Sequence, residues 1–195
     1  MDGTRRAARE TEARSAQGRI GGNATRADAS PRAHCLGLPA MNLRVVALGH
    51  RMPDWVSTGW SDYVRRLPRE FALQLIELKP EPRSHGRSIA QLLAAEAERI
   101  LAACKGALVV ALDERGRPWT TRMLAERLGR WRDDARSIAF VVGSADGLDD
   151  KVRAQAAEVV SLSPLTLPHG LVRVIVAEQL YRAASLLAGH PYHRE

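Results

Sequence analysis

From Leu43 onward, short apolar runs alternate with amphipathic stretches, and this rhythm predicts an α/β fold. Leu43-Arg44-Val45-Val46-Ala47-Leu48 reads as a buried strand ended by Gly49, and Pro53-Asp54 opens a helix reaching Leu67, with Pro68 after it. Phe71 to Leu78 predicts the second strand. A loop rich in Pro, Gly and Arg over 79–87, expected to be basic and mobile, leads to Ser88, which suits the cap of a helix running through Cys104. Ala107 to Leu112 predicts a third strand, Thr120 to Arg132 a helix, and Ser137 to Val142 a fourth strand that runs into Gly143-Ser144-Ala145-Asp146-Gly147. A helix from Asp149, a short strand over 159–162 and a long helix from Leu171 to Ala188, stopped by Gly189 and Pro191, complete the pattern. Repeated strand-then-helix order implies a mainly parallel sheet with helices on both faces.

Residues 1–40 break this rhythm. Ile20 and two leucines are their only large aliphatics, too few to offset the entropy of ordering, so a disordered Arg-rich extension is expected, or a start site set upstream of a true beginning at Met41. Four acids and the lack of an amphipathic stripe argue against a transit peptide, and no apolar core marks a secretory signal. The folded domain is expected over 41–195. No stretch approaches the roughly 18 apolar residues that cross a bilayer, which points to a cytoplasmic protein without a membrane partner. Cys35 and Cys104 match neither a zinc spacing nor a disulfide framework, and the six histidines include no His-x-x-x-His pair, so no structural metal is expected. The formal charge of +7 suits a polyanionic partner. Seven arginines and four acids in residues 1–40 account for +3 of it, leaving +4 on the remainder.

Ligands of open parallel sheets bind at the carboxyl ends of strands, which singles out Leu112-Asp113, Gly143 to Gly147 and Ser161 to His169. Gly143 and Gly147 would let the backbone approach a ligand, although a tight turn needs glycine in any case. Neither the three-glycine dinucleotide pattern nor a P-loop lysine is present, and Ser144 lacks the Gly-x-Ser-x-Gly register of a nucleophile elbow. Asp113-Glu114 and Asp149-Asp150 read as solvated loop acids. Ser161-Leu162-Ser163-Pro164-Leu165-Thr166-Leu167-Pro168-His169-Gly170 passes from a strand through two prolines into a helix, giving a stiff loop whose backbone groups could read an adenine base. On that helix Glu178, Arg182 and Ser185 share a polar stripe from which Arg173 falls away, so Arg173 reads as an interface or site residue. The tail gathers His190, Tyr192, His193 and Arg194, which combine stacking, phosphate-binding and proton-transfer groups suited to a nucleotide.

Together these residues resemble the ribosomal large-subunit pseudouridine N3-methyltransferase family, a small member of the SPOUT class of knotted methyltransferases. The resemblance covers Met41 to Glu195 through Met52-Pro53-Asp54-Trp55-Val56, Thr58-Gly59, Tyr63-Val64-Arg65-Arg66, Leu112-Asp113, Leu165-Thr166-Leu167-Pro168-His169, Leu171-Val172-Arg173-Val174 and the terminal His190-Pro191-Tyr192-His193-Arg194-Glu195. It implies a trefoil knot in the carboxyl half that holds S-adenosylmethionine, a homodimer whose partner helps complete each site, and ribosomal RNA, within a large subunit or ribosome, as substrate. It places the cofactor on Leu112, Gly143, Ser163, Pro164, Leu165, Thr166, Leu167 and Pro168, and sets His169, Tyr192, His193 and Arg194 against the base. Tyr192 and Arg194 would orient the base, while His169, His193 or water takes the proton. The family's usual Gly-Gly-Pro-Glu-Gly after the fourth strand is here Gly143-Ser144-Ala145-Asp146-Gly147, which keeps the outer glycines and an acid but loses the proline. Methylation of transfer RNA, or RNA binding without catalysis, are the rival readings.

Overall fold

Five parallel strands make the centre of the domain: β1 (Met41–Leu48), β2 (Phe71–Leu78), β3 (Leu108–Pro118), β4 (Ile138–Val142) and β5 (Glu158–Ser161), in the order β2-β1-β4-β3-β5. Between and after them run α1 (Asp54–Arg66), α2 (Ile89–Ala103), α3 (Thr121–Asp133), α4 (Asp150–Gln155) and α5 (His169–Leu187). The computed structural model describes residues 40–49, 51–83 and 86–190; the amino-terminal extension expected to be disordered, and Tyr192, His193 and Arg194 of the tail, lie outside them.

Both faces of the sheet are covered, as a strand buried on both sides requires. Side chains alternate between two cores: Leu43, Val45 and Ala47 of β1 with Ile138, Phe140 and Val142 of β4 face one, and Val46, Leu48, Ala139 and Val141 face the other. The first core is closed by α1, α3 and α5, through residues such as Trp60, Leu128 and Leu180. The second is closed by α2 and α4, through Ala97, Ile100 and Val152. Ser88 caps α2 as its sequence position suggests, accepting from the Gln91 N–H while the Gln91 side chain takes the Ser88 N–H.

Two elements depart from the sequence pattern. β3 does not stop at Leu112. Residues 113–116 are thrown out of register and the strand resumes at Arg117, which pairs with Val160, the residue that Leu112 also pairs with. Gly116 permits this, because a Cβ there would lie 2.5 Å from the backbone of Val160. The loop after β2, expected to be mobile, is tied to α2 in its described part. The Glu81 N–H donates to the buried Glu96 carboxylate at 3.0 Å, Arg99 and Arg87 bind the Glu81 carboxylate at 2.9 and 2.8 Å, and Arg99 also donates to the Lys79 carbonyl. Further along the loop, Arg83 reaches Asp146 at 2.7 Å.

Candidate functional site

After β3 the chain leaves toward the face covered by α3, and after β4 toward the face covered by α4. Neighbouring strands that discharge to opposite faces leave a crevice at their carboxyl ends. Here it is a cleft of about 380 Å³, within the usual range for small-molecule sites. Its walls are the thrown-out segment of β3, the glycine turn after β4 and the loop from β5 into α5.

The glycine turn is a closed hairpin, with Ser144 N–H bonded to Gly147 O at 3.2 Å and Gly147 N–H to Ser144 O at 2.9 Å. Gly143 is needed by the turn itself, since a Cβ there would meet the Gly147 carbonyl oxygen at 2.5 Å, and Gly147 has φ +92°. The structure thus favours the tight-turn explanation of these glycines, in a turn that nonetheless lines the cleft. Ser144 Oγ is buried at the same place with no hydrogen-bond partner among the described residues.

The β5–α5 loop is fixed by more than its prolines. Ser161 Oγ donates to Ser163 O at 3.0 Å, and Ser163 Oγ accepts from the Leu165 N–H at 2.9 Å. The N–H groups of Thr166 and Leu167, two residues that line the cleft, find no backbone acceptor among the described residues. Pro168 precedes α5 and supplies no side-chain cap for its first-turn N–H groups.

Asp113 corrects the expectation of a solvated loop acid. Its side chain is 7% exposed and pairs with Arg153 of α4 at 3.0 Å, and its other oxygen accepts from the Arg115 N–H at 2.9 Å. Arg153 also donates to the Leu148 carbonyl and pairs with Asp150, so one guanidinium joins the thrown-out segment, the end of the glycine turn and α4. Asp150 itself is exposed, as expected, and this ion pair draws its carboxyl below its ordinary range.

Arg173 is neither a ligand-reaching nor a surface group. It is 1% exposed and holds the carboxyl ends of β1 and β2 together, donating to Glu77 at 2.5 Å and to the Gly49 carbonyl at 2.9 Å. One turn earlier, half-buried His169 lines the cleft. Burial, and secondarily the Arg173 charge, push its imidazole below its usual pKa and keep it neutral near pH 7.

Of the residues singled out in the sequence, Leu112, Gly143, Ser163, Leu165, Thr166, Leu167 and His169 come together on this cleft, and Pro164 and Pro168 lie in the loop that forms its wall. Arg153 was missed as part of the site, while Asp113 and Ser144 lay in turns singled out in the sequence but were given no role of their own. Arg153 left one sequence signal, as a basic residue following Asp149-Asp150. Among the described residues no cluster of His, Cys, Asp or Glu could hold a metal, and no helix is long and apolar enough to cross a membrane.

The fold and its crevice agree with a methyltransferase class that the chain matches directly: residues 41–193 fit the model described as predicted SPOUT methyltransferase. The chain belongs to that family. It is 56% identical over 155 residues to the ribosomal RNA large subunit methyltransferase H of Bordetella avium strain 197N. It is 53% identical to the protein of the same name from Burkholderia ambifaria strain MC40-6, and each alignment takes in 79% of this chain and 99% of the relative. Among solved structures, the fold is similar to a probable methyltransferase from Bordetella pertussis Tohama I, at a TM-score of 0.50 and 18% identity over 74% of this chain and 95% of that one. It is also similar to a probable methylase family protein from Haemophilus influenzae Rd KW20, at 0.52 and 17% over 80% and 71%.

Proposed function

We propose that this protein transfers the methyl group of S-adenosylmethionine to N3 of a pseudouridine in the RNA of the large ribosomal subunit. The observation that carries this reading is the 53–56% identity, across 99% of their length, to relatives named for large-subunit ribosomal RNA methylation. The sequence resemblance adds the pseudouridine N3 position.

The cleft suits the cofactor. Its volume is adequate, Leu112, Leu167 and Val172 supply an apolar surface, and the Thr166 and Leu167 N–H groups with the unpartnered Ser144 hydroxyl supply polar contacts. Leu112, Gly143 and the segment Ser163 to Pro168 would hold it. When bound, S-adenosylmethionine supplies an activated methyl on a sulfonium.

The protein's own tasks are to hold the base in line and to take up the weakly acidic N3 proton. Positioning can remove on the order of 7 kcal/mol or more of barrier, and a base adds roughly 10²-fold. Neutral His169 lines the cleft and is suited to the proton. His193 is the other candidate, with Tyr192 and Arg194 orienting the base. A trefoil knot through the β5–α5 loop, and a second copy of the chain completing each site, belong to the same reading, as does a cytoplasmic, ribosome-associated setting.

Large ribosomal subunits from cells lacking the protein, incubated with methyl-labelled S-adenosylmethionine, test it. The full chain should place label on one pseudouridine, and a chain lacking residues 190–195 should bind the cofactor yet transfer nothing. His169→Ala and His193→Ala proteins that both retain normal rates would remove the histidines from the mechanism. Unlabelled large subunits beside labelled transfer RNA in a parallel incubation, or RNA binding without cofactor binding, would overturn the proposal.

A further inference from the structure

Between β1 and α1, Gly49 on one side and Met52 on the other are both held against α5. Arg51 lies there at φ +59°, in the left-handed region that side chains other than glycine avoid. The other such residue among those described, Ala135 at φ +51°, follows α3, where the Arg136 N–H closes back on the Trp131 carbonyl at 2.9 Å. A left-handed residue is an ordinary way to end a helix. No helix end accounts for Arg51. Its surroundings hold it: Arg173 fixes the Gly49 carbonyl on one side, and on the other Met52 and Val56 press against the first turn of α5. A Cβ on Gly170 would lie 2.9 Å from Val56 Cγ2 and 3.6 Å from Met52 Sδ. Gly170 follows His169, so this connection is clamped beside the group that faces the cleft.

The Arg51 side chain is exposed and has no ion-pair or hydrogen-bond partner among the described residues. Four residues on, in the first turn of α1, Trp55 is 55% exposed. Strained backbone persists where its surroundings over-determine it, and it gathers at ligand clamps. A guanidinium without a partner among the described residues, four positions from an exposed indole, matches what single-stranded RNA offers, a phosphate and a base face. We infer that Arg51 and Trp55 form a ledge for the RNA flanking the target base, Arg51 taking a backbone phosphate and Trp55 stacking on a neighbouring base. The inference rests on the proposed RNA substrate, and the net positive charge outside the extension favours the same occupant.

The test uses the full chain and large ribosomal subunits from cells lacking it, with binding measured by co-sedimentation over a range of salt and without cofactor. Arg51→Gly suits the positive φ and removes only the side chain. Trp55→Ala removes the indole and Trp55→Phe retains a ring. Arg69→Ala removes the same charge at the opposite, amino-terminal edge of the sheet. Arg51→Gly and Trp55→Ala should each weaken binding about tenfold, Trp55→Phe should recover most of it, and Arg69→Ala should match wild type. Arg51→Gly should also reduce the slope of log K against log salt by about 0.7. S-adenosylmethionine affinity and solution mass should be unchanged in all four, and none should melt below wild type. Binding within twofold of wild type for Arg51→Gly and Trp55→Ala overturns the ledge. So does a loss that accompanies altered solution mass or cofactor affinity, which would assign these residues to contacts between copies or to the fold. Weakened binding by the variants where even the wild type transfers no methyl leaves the ledge standing and removes the proposed reaction.

Discussion

Gly143→Ala probes whether the glycine turn shapes the cleft. Gly143 is buried, and the added Cβ would fall 2.5 Å from the Gly147 oxygen, 2.7 Å from its carbonyl carbon and 3.0 Å from Leu148 Cγ. Two of these atoms are backbone and cannot rotate away, so the turn must open. Overpacking of this kind costs about 1–3 kcal/mol. Opening the turn also weakens the paired Ser144–Gly147 hydrogen bonds, worth about 1 kcal/mol each. A total of about 2–3 kcal/mol lowers the melting temperature of a domain this size by roughly 5–10 °C. The opened turn moves a wall of the cleft, so S-adenosylmethionine should bind about tenfold or more weakly. Gly147→Ala is the internal control: nothing lies within 4 Å of its Cβ, and only the strain of φ +92°, about 1 kcal/mol, opposes it. Thermal unfolding and isothermal titration calorimetry measure both variants. A Gly143→Ala protein that melts with wild type and binds the cofactor within about twofold of it refutes the packing argument.

Arg173→Met should cost about 2–3 kcal/mol, read as a lower urea midpoint at unchanged slope. Two charge-assisted bonds at about 1.5–3 kcal/mol each are lost, discounted because Glu77 is 43% exposed and can rehydrate; a midpoint equal to wild type contradicts the clamp. Asp113→Asn leaves the guanidinium of Arg153, 18% exposed, short of its buried counter-charge. It should cost about 2 kcal/mol and weaken cofactor binding, and an affinity equal to wild type would sever Asp113 from the site. Because the His169 pKa is lowered in the folded state by burial and then by Arg173, the unfolded chain takes up the proton first as pH falls. The stability this group contributes is complete above about pH 6.5 and is lost as pH drops through the folded value. His169→Gln should flatten the stability profile across that window, and parallel profiles would refute the assignment.

The strands were most legible where both faces are buried, because continuous apolar runs such as 45–48 and 138–142 have few other uses. The far half of β3 was not, since Glu114, Arg115 and Gly116 carry no apolar signal and the pairing of Arg117 with Val160 depends on a partner distant in sequence. Ionisable residues misled for the same reason. Asp113 reads as a solvated acid and Arg173 as an interface or site residue until the fold brings Arg153 and Glu77 to them across 40 and 96 positions. The cleft loop, by contrast, is built from neighbours, each serine bonding a backbone group two residues on and two prolines following, and so could be found from its own composition.

Mass spectrometry of large-subunit ribosomal RNA from cells with and without this protein tests its methylation most directly. Loss of a single methyl group from one pseudouridine, restored by the wild-type chain and not by a chain lacking residues 190–195, is the predicted result. A ribosomal RNA methylation map identical in the two strains would contradict it.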